Sequence, residues 1–507
     1  MTPQEPSEHT HEQKRKLDRR VVGGIAWTAG AKWATKVISW ASLIALARML
    51  SQTDFGISGM AGIYFNLTNL LAEFGVGTAV LHMPELNRRA LGQLHAFSVL
   101  LCTSIFALSC VLAPLLARFF HTPALIPVII VGSSGFFVTG FQAVPLGLLQ
   151  KELDYRRLSL SEAAQSIIQA LVSVTCAWLG WGYWSLVIGG LSGKIANAVM
   201  ITSWKRVPFS IPRWQEIKAP IELGRQTAVG RLAWSAYSYS DGIIVGRFLG
   251  DAMLGSYNMA MNLATAPADK VSALLMRTAG PLFANVQNDL ALVRRYYLIF
   301  VEVLSLAVMP LMAGLVIVAP LAVPVVLKGK WMNAVAPMQF LAAFMFLRTL
   351  ETLAEQVLIS QRATKFTMRM SLLNLFLMPV AFYFGARNYG TSGVAASWLV
   401  MTPVTILPTL FILLRRIKLP VLDFLATLWP AFMSSAAMAL GVRGLQIWLE
   451  GRGWLPVVSL VAQIATGGAI YAFLLLTVFR GKLVRYVGFA RDLRTGKNVA
   501  ASPSAVS

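Results

Sequence analysis

Two stretches of this sequence match without a gap: TAGAKWATKVISWASLIALARMLSQTDFGISGMA (residues 28–61) and TAVGRLAWSAYSYSDGIIVGRFLGDAMLGSYNMA (residues 227–260). Ten of the 34 aligned positions are identical, whereas shared membrane composition would produce about two or three identities. The match indicates an internal duplication, in which the second copy lies 199 residues after the first.

The composition places the duplicated chain in the membrane class. The 507 residues are 56% hydrophobic and only 13% charged, against about 25% charged in a typical soluble domain. Apolar runs long enough to cross a bilayer as helices recur from residue 21 to about residue 480. We predict an all-α integral membrane protein with about fourteen transmembrane helices, at residues 21–46, 56–82, 92–117, 124–149, 158–180, 183–204, 222–246, 253–279, 296–327, 334–360, 367–386, 391–414, 422–442 and 455–479.

The duplication divides these helices into two pseudo-symmetric lobes of six, followed by two extra helices. Six is an even number, so both copies enter the membrane from the same side, as parallel repeats about an axis along the membrane normal. The predicted order is an N-terminal tail (1–20), an N-lobe (21–204), a linker (205–221), a C-lobe (222–416), the extra helices (417–480) and a C-terminal tail (481–507).

Charge sets the predicted orientation. Basic residues concentrate in both tails and in the even-numbered connections, for example Arg88, Arg156 and Arg415, and they are sparse in the odd-numbered ones. This asymmetry predicts that both tails lie in the cytoplasm. Most of the net charge of +22 then sets the membrane orientation and faces anionic lipid headgroups. No nucleic-acid partner is expected.

A second set of cations lies within the predicted spans. Each costs about 2.5–3.5 kcal/mol at mid-membrane on insertion scales, so those far from helix ends should face protein or water. The residues are Lys32, Lys36, Lys194, Arg231, Lys270, Arg277 and Arg348.

The repeat places Lys32 opposite Arg231, at the same depth of the first helix in each copy. Thr28, Lys32 and Lys36 form one stripe on that helix, because residues four apart share a face. We predict that the two stripes line one central cavity. The alternative is that nearby acids satisfy both cations, which then only rigidify packing.

The repeat also pairs Gly56 with Gly255, just after Arg48 and Arg247 at the ends of the first and seventh helices. A glycine at such a place permits close packing or a sharp turn. We therefore interpret this part of the motif as a structural corner, with the arginines capping carbonyls at the helix C-termini.

The corner motif also carries a family resemblance. ARMLSQTDFGISGMA (47–61) and DGIIVGRFLGDAMLGSYNMA (241–260) resemble the paired signature of the polysaccharide-transport flippases. Their superfamily also holds the multidrug-and-toxin-extrusion (MATE) exporters and the flippases of lipid-linked peptidoglycan precursors. The resemblance covers about residues 21–480.

The resemblance implies two six-helix lobes in a V, alternately open to the cytoplasm and the periplasm. The implied substrate is an undecaprenyl-diphosphate-linked oligosaccharide, moved across the bacterial inner membrane for lipopolysaccharide, exopolysaccharide or capsule biosynthesis. Relatives carry cations on helices 1, 2, 7 and 8 of the cavity. By position, Lys32, Lys36, Arg231, Lys270 and Arg277 fit that pattern, with Arg348 ranked lower, while the second helix offers no cation.

Cations in a wet cleft can replace the hydration of a diphosphate by charge-assisted hydrogen bonds. For the sugars we expect polar surroundings from Asn66, Asn69, Asn262 and Tyr237. For the return of an empty cationic cavity we expect acids that pair with these cations or bind H⁺ or Na⁺. The candidate coupling acids are Glu73, Asp241, Asp269 and Glu351.

Two other function classes are weighed against this one. A MATE-type drug or cation antiporter would favour an acidic, aromatic cavity, and the embedded cations argue against it. A membrane-embedded polysaccharide polymerase or ligase needs catalytic groups on a sizeable loop, whereas the odd-numbered connections are short and carry no catalytic motif. We therefore expect no enzyme activity.

The expected partners follow from this function. They are the lipid-linked oligosaccharide, the bilayer and, as candidates, polysaccharide polymerase or export proteins. Both lobes lie in one chain, which favours a monomer. Three cysteines and five histidines show neither CxxC spacing nor a ligand cluster, so no metal or other cofactor is expected beyond a coupling ion.

Overall fold

The computed structural model describes residues 35–73, 80, 87–213, 235, 237–450 and 452–477. All regular secondary structure in these ranges is helical. Each of the fourteen predicted segments is met by a helix there, so the predicted all-α class is confirmed.

In chain order, the described helices are α1 (35–49), α2 (Gln52–Glu73), α3 (Arg88–Phe120), α4 (Leu125–Ser133), α5 (Gly135–Lys151), α6 (Tyr155–Trp178), α7 (Trp184–Trp204), α8 (Ser240–Leu249), α9 (Asp251–Asn285), α10 (Leu290–Leu327), α11 (Val335–Ser360), α12 (Thr364–Val400), α13 (Thr402–Arg416), α14 (Val421–Leu449) and α15 (Pro456–Thr477). A 3₁₀ turn, Gly329–Ala334, joins α10 to α11.

Seven helical stretches of the described chain are long and apolar enough to cross a bilayer. They are Arg88–Phe120, Leu125–Lys151, Trp184–Trp204, Leu290–Leu327, Thr364–Arg416, Val421–Leu449 and Pro456–Thr477. The described helices outside this set include α2, α9 and α11, which carry most of the predicted site residues. A helix that faces a wet cleft on one side needs less apolar surface than one surrounded by lipid.

Two sequence-predicted helices meet inside α12. The predicted boundary between residues 386 and 391 coincides with Gly390, whose φ of 60° and ψ of −144° interrupt the helical backbone. Glycine adopts this conformation without the penalty that a side chain would add. Gly385 and Gly393 then bring the two arms together, since a Cβ on Gly393 would lie 2.1 Å from the Gly385 carbonyl oxygen.

The chain divides into two compact units, Met1–Asn258 and Met259–Ser507, and the division falls inside α9. The N-terminal unit therefore includes α8 and the first two turns of α9, which pack against α2. The predicted lobe and tail boundaries remain predictions.

The N-terminal unit is held together by close helix packing at small residues. In the contact between α6 and α7, a Cβ on Gly189 would lie 1.8 Å from the Ser173 hydroxyl oxygen. Deeper in the same contact, Asn197 donates to the side-chain oxygen of Gln165 at 2.6 Å. Small residues and interhelical polar contacts are the usual means of association in a membrane, where apolar burial between helices gains little.

The start of the predicted linker lies along α3 of the same unit. The Ser210 amide donates to the Gly92 carbonyl at 3.3 Å, and the Phe209 ring lies 4.4 Å from the His95 ring. Residues 205–213 are therefore fixed to the helix surface.

The C-terminal unit is built around α10, which packs against α11, α14 and α15. Val318 of α10 lies in a buried apolar cluster with Met438, Val442 and Leu460 of the last two helices. The Tyr471 hydroxyl donates to the Leu306 carbonyl of α10 at 2.6 Å. The two extra helices are thus part of this unit's core.

The duplicated corners meet inside the N-terminal unit. A Cβ on Gly56 would lie 1.9 Å from the Asp251 carbonyl oxygen, and a Cβ on Gly255 would lie 1.9 Å from that of Gln52. These four residues are repeat equivalents, since Gln52 aligns with Asp251 and Gly56 with Gly255. Such reciprocity is expected at a local twofold axis. Of the two alternatives predicted for the glycines, close packing and a sharp turn, the structure shows close packing.

Candidate functional site

The two cations that define the predicted cavity, Lys32 and Arg231, lie outside the described residues. Glu73 ends α2, and its side chain is also outside them. The other predicted residues lie in the described ranges, some in the N-terminal unit and the rest in the C-terminal unit.

In the N-terminal unit, Lys36 is exposed near the start of the described part of α1. Ser39, one turn later, is also exposed, and its hydroxyl donates to the Thr35 carbonyl at 2.8 Å. Residues three apart share a helix face. Lys36 and Ser39 therefore lie exposed on one face of this part of α1, while Thr28 and Lys32 of the predicted stripe lie outside the described residues.

The predicted sugar-facing residues of α2 differ in exposure. Asn66 is exposed, and its amide nitrogen donates to the Gly62 carbonyl at 2.8 Å, which leaves the side-chain oxygen directed away from that bond. Asn69 is half-buried. Tyr64 on the same helix donates to the Ser109 hydroxyl of α3 at 2.7 Å, so it ties the two helices together.

Asp241 is buried between α8 and α9, with 5% of its surface exposed. One carboxylate oxygen accepts a hydrogen bond from the Tyr257 hydroxyl at 2.7 Å, and the other accepts one from the Gly242 backbone amide at 2.6 Å. Tyr237, one turn before Asp241, is half-buried. A buried carboxylate satisfied by a neighbouring hydroxyl joins the start of α9 to α8, in addition to the coupling role predicted for it.

In the C-terminal unit, α9 carries the predicted residues on its exposed surface. Asn262, Asp269, Lys270 and Arg277 are all exposed. Asn262 and Asp269 are seven residues apart, as are Lys270 and Arg277, so each pair shares a face of the helix. Two neighbouring columns result, and the one with both cations is the candidate for binding an anion.

Helix α11 brings further charge to this part of the unit. Arg348, Glu351 and Glu355 follow one another at spacings of three and four residues, and all three are half-buried. Arg348 interacts electrostatically with both glutamates and with Asp269 of α9. Helices α9 and α11 lie close together at Gly280, where an added Cβ would be 3.0 Å from the side-chain amide nitrogen of Gln356.

Three carboxylates thus lie within electrostatic range of one guanidinium, and these four groups form a charged cluster. Among the residues the structure describes, no carboxylate oxygen lies within ion-pair distance of Arg348. Arg348 and Glu351 are three residues apart on α11, a spacing at which two opposite charges on a helix can neutralise each other. The structure gives Arg348 three acidic neighbours and a direct ion pair with none, so Arg348 serves the whole cluster.

Glu355 was not among the predicted site residues. The signal for it was present, since it lies seven residues after Arg348 and four after Glu351, on the same helix face. The approach of Asp269 from another helix had no sequence signal. Within the described part of the chain, no group of three or more His, Cys, Asp or Glu is placed to hold a metal ion.

Comparison with known proteins gives a family match. Residues 45–336, more than half of the chain, match the family model described as polysaccharide biosynthesis protein. The matched region runs from α1 to the start of α11, and so contains most of the described candidate residues.

Several curated proteins are similar over nearly their whole length. The lipopolysaccharide biosynthesis protein WzxC of Escherichia coli (strain K12) is 23% identical, over 86% of this chain and 89% of its own. The teichuronic acid biosynthesis protein TuaB of Bacillus subtilis (strain 168) is 23% identical, over 92% and 98%. The succinoglycan biosynthesis transport protein ExoT of Rhizobium meliloti (strain 1021) is 22% identical, over 93% and 96%.

Solved structures show the same fold. The lipid II flippase MurJ in an inward closed conformation superposes with a TM-score of 0.71 at 13% identity, covering 90% of this chain and 100% of that one. An inward-facing multidrug resistance MATE transporter gives a TM-score of 0.61 at 15% identity, covering 76% and 94%. At these identities the likeness concerns the fold alone.

Proposed function

The chain belongs to the polysaccharide biosynthesis protein family, and on that premise we propose that it moves undecaprenyl-diphosphate-linked oligosaccharide across the bacterial inner membrane. The family match and the fold confirm the predicted resemblance to the polysaccharide-transport flippases. The protein is thus a multi-pass membrane transporter of the flippase type rather than an enzyme.

The observation that carries the proposal is the set of exposed cations on α1 and α9. Lys36, Lys270 and Arg277 all have exposed side chains. Each would cost about 2.5–3.5 kcal/mol facing hydrocarbon at mid-membrane, so a cleft that holds water or an anionic ligand is the environment that suits them. A diphosphate supplies the matching negative charge.

In the proposed mechanism the lysines and arginines replace water around the diphosphate through charge-assisted hydrogen bonds. Lys32, Lys36, Arg231, Lys270 and Arg277 take this role. Asn66 and Asn262, both exposed, offer amide groups to sugar hydroxyls. The polyprenyl tail stays in the bilayer, because it loses nothing by remaining in hydrocarbon.

The cycle alternates the access of the cavity between the two membrane faces. After release, the empty cavity holds net positive charge, and its return requires counter-charge. The carboxylates around Arg348, together with Glu73 and Asp241, supply that charge by pairing with the cations or by exchanging H⁺ or Na⁺. Guanidinium stays protonated in proteins, so Arg348 holds the cluster together in every state.

The proposed orientation places both termini in the cytoplasm and loads substrate from the inner leaflet. It is supported by the concentration of basic residues in the tails and even-numbered connections. The protein acts as a monomer, and its product passes to polysaccharide polymerase or export proteins.

A MATE-type antiporter remains the contrasting function, since its fold is also similar. Organic cations would be repelled by the exposed Lys36 of α1, and likewise by the exposed Lys270 and Arg277 of α9. A drug-efflux assay in a sensitive host separates the two functions, and we expect no change in resistance on expression.

The test of the proposal is transport by purified protein in vesicles that contain lipid-linked oligosaccharide. We expect Lys32→Ala, Arg231→Ala and the Lys270→Gln/Arg277→Gln double variant each to lower the rate about tenfold or more, as loss of a charge-assisted contact implies. The matched control is Arg387→Gln, which removes an exposed cation from an odd-numbered connection of the predicted topology. Cavity variants that transport at the control rate would refute the cationic role.

The same vesicles identify the coupling ion. Imposing a proton gradient or a sodium gradient separately shows which one accelerates transport. We expect Glu351→Gln to abolish that acceleration while leaving slow transport without a gradient, because it removes a carboxylate and keeps the cavity cations.

A further inference from the structure

The C-terminal unit gathers eight cations at one end of its helices, here termed the basic surface. Its members come from the start of α10, the corner between α11 and α12, and the end of α13. They are Arg294, Arg295, Arg362, Lys365, Arg369, Arg415, Arg416 and Lys418. The six that follow α10 are all exposed.

Side-chain bonds to main-chain carbonyls hold these helix ends together. Arg416 of α13 donates to the Gln361 carbonyl that follows α11. Arg294 of α10 donates through Nε and Nη2 to the Ile417 carbonyl, at 3.4 and 3.3 Å. The side-chain amide nitrogen of Gln361 donates a hydrogen bond to the Gln287 carbonyl at 3.0 Å. The cations therefore share one surface and are positioned by the fold.

Within the described ranges, no ion pair neutralises this surface. Among the described residues, none of its eight members has a carboxylate within ion-pair distance. Asp289, at the start of α10, accepts the amides of Ala291 and Leu292 at 2.9 and 3.1 Å, so it caps that helix. Asp423 lies exposed in the first turn of α14. The surface carries a clear positive excess.

The repeated corner in the N-terminal unit shows that this excess is not required by the fold. The corner after α5 places Leu153 at φ 55°, and the corner after α11 places Arg362 at φ 58°, each one residue past the helix cap. The two corners thus share a backbone form. Their charges differ, however, and the difference lies in the acids.

In the first corner the acids neutralise neighbouring cations. Glu152 forms an ion pair with Lys205, with 2.5 Å between Oε1 and Nζ. Asp154 forms one with Arg157, with 3.5 Å between Oδ2 and Nε. The equivalent places in the second corner, counted from the positive-φ residue, are Gln361 and Ala363. The second corner therefore has neither acid, while Lys365 stands where the first corner has Arg156, so its positive charge is not neutralised in the same way.

The helix that leaves the second corner indicates what an anion bound there would be attached to. Lys365 and Arg369 lie one turn apart on α12, and both are exposed. Met368, Leu372, Phe376 and Val380 continue along the helix at four-residue spacing, with 44–73% of each exposed. This helix has cations at its start and an exposed apolar stripe after them. Such a surface is complementary to a molecule whose anionic headgroup is joined to a hydrocarbon chain.

We propose that the basic surface binds the phosphate headgroups of anionic phospholipids, whose acyl chains lie along the apolar stripe of α12. Guanidinium groups recognise phosphate oxygens through paired hydrogen bonds. Each cation at a membrane surface contributes about 1 kcal/mol of attraction to anionic lipid. Bound lipid neutralises the end of the C-terminal unit and anchors it at the membrane surface.

The test uses the full-length protein purified in a mild detergent and supplied with phosphatidylglycerol or phosphatidylcholine. The variant is Arg362→Gln/Lys365→Gln/Arg369→Gln. The matched control, Arg156→Gln/Arg206→Gln/Arg213→Gln, removes three exposed cations from the N-terminal unit. Phosphatidylglycerol retained through a second purification is measured by mass spectrometry.

We expect the wild type and the control to retain phosphatidylglycerol over phosphatidylcholine, and the variant to retain about tenfold less phosphatidylglycerol. Equal retention by variant and control would overturn the proposal. It would also fail if glycerol phosphate displaced the lipid, since the site would then recognise the free headgroup without the chain.

A second measurement needs no variant and so does not depend on folding. Raising the salt concentration of the wild type to about 1 M shortens the screening length to about 3 Å, and we expect this to release phosphatidylglycerol while the protein remains monodisperse. Retention unchanged by salt would mean that the lipid is held by apolar contact alone, which contradicts a role for the cations.

Discussion

At the scale of single residues, the most demanding contact is the one between the duplicated corners. Gly56 and Gly255 are equivalent in the repeat, and each faces the backbone of the residue that precedes the other by four positions, Asp251 and Gln52 respectively. No side chain can occupy either place without moving a helix. The identity of these positions between the copies therefore follows from a shared packing requirement.

We predict that Gly56→Ala lowers the stability of the protein by about 1–3 kcal/mol, the usual range for forcing an extra group into a packed site. The new Cβ would lie 1.9 Å from the Asp251 carbonyl oxygen, and backbone cannot rotate away as a side chain can. The measurement is the thermal unfolding midpoint of the purified protein.

The same helix provides the control for this prediction. A Cβ on Gly62 of α2 would meet nothing within 4 Å, and alanine is a better helix former than glycine by about 1 kcal/mol. Gly62→Ala should therefore leave the unfolding midpoint unchanged or raise it. Equal midpoints for the two variants would contradict the close contact.

At the scale of helices, α9 and α11 show how charge is organised across an interface. Asp269 comes from α9, while Arg348, Glu351 and Glu355 come from α11. A single guanidinium serves three carboxylates. Removing it leaves like charges close together at low dielectric, whereas removing one carboxylate relieves repulsion between the others.

We predict that Arg348→Gln destabilises the protein and that adding Glu351→Gln restores part of the loss. In a double-mutant cycle on the unfolding midpoint, the interaction energy should be about 0.5–3 kcal/mol, the range for residues in one network. Arg387→Gln, which removes an exposed cation outside the cluster, should combine additively with Glu351→Gln. Additivity in both cycles would show that the cluster is not a network.

The sequence predicts the helices well because apolar length is a local property. The break near residue 390 was predicted correctly, since it requires a glycine in a conformation that other residues avoid. The short break at Ser134, between α4 and α5, is absent from the predicted helices, and Ser134 itself keeps a helical φ of −57° and ψ of −24°. The local sequence does carry a signal, since Gly132, Ser133, Ser134 and Gly135 form a cluster of residues at which helices commonly bend.

The site was predicted less completely, for a physical reason. Helical spacing places Arg348 and Glu351 on one face, and the same rule extends to Glu355. The approach of Asp269 and the bond from Tyr257 to Asp241 depend on how separate helices pack, which no local pattern encodes. Those contacts required the tertiary structure.

At the scale of the whole chain, the two copies of the repeat have kept their backbone and diverged in charge. The corners at Leu153 and Arg362 share a positive φ, but in the described structure only the first has acids that pair with its cations. Duplication supplies the symmetric frame that alternating access needs. Divergence then lets the copies take different roles, with lipid contact assigned to the second.

The proposed cargo makes transport sensitive to the membrane potential. A diphosphate is negatively charged, and its outward movement from a negative interior is favoured by about 2.3 kcal/mol per charge per 100 mV. We predict that vesicles with a negative interior, imposed by a potassium gradient and valinomycin, lose lipid-linked oligosaccharide from the inner leaflet faster than vesicles at zero potential.

The direction of this effect reports which charges cross the field. If the cations of α1 and α9 stay in place, the substrate alone carries charge outward, and a reversed potential should slow transport by a comparable factor. The Lys270→Gln/Arg277→Gln variant should transport more slowly but keep the same ratio between the two potentials. A rate independent of potential would contradict the prediction, because the protein's own positive charge would then have to move across the field together with the diphosphate.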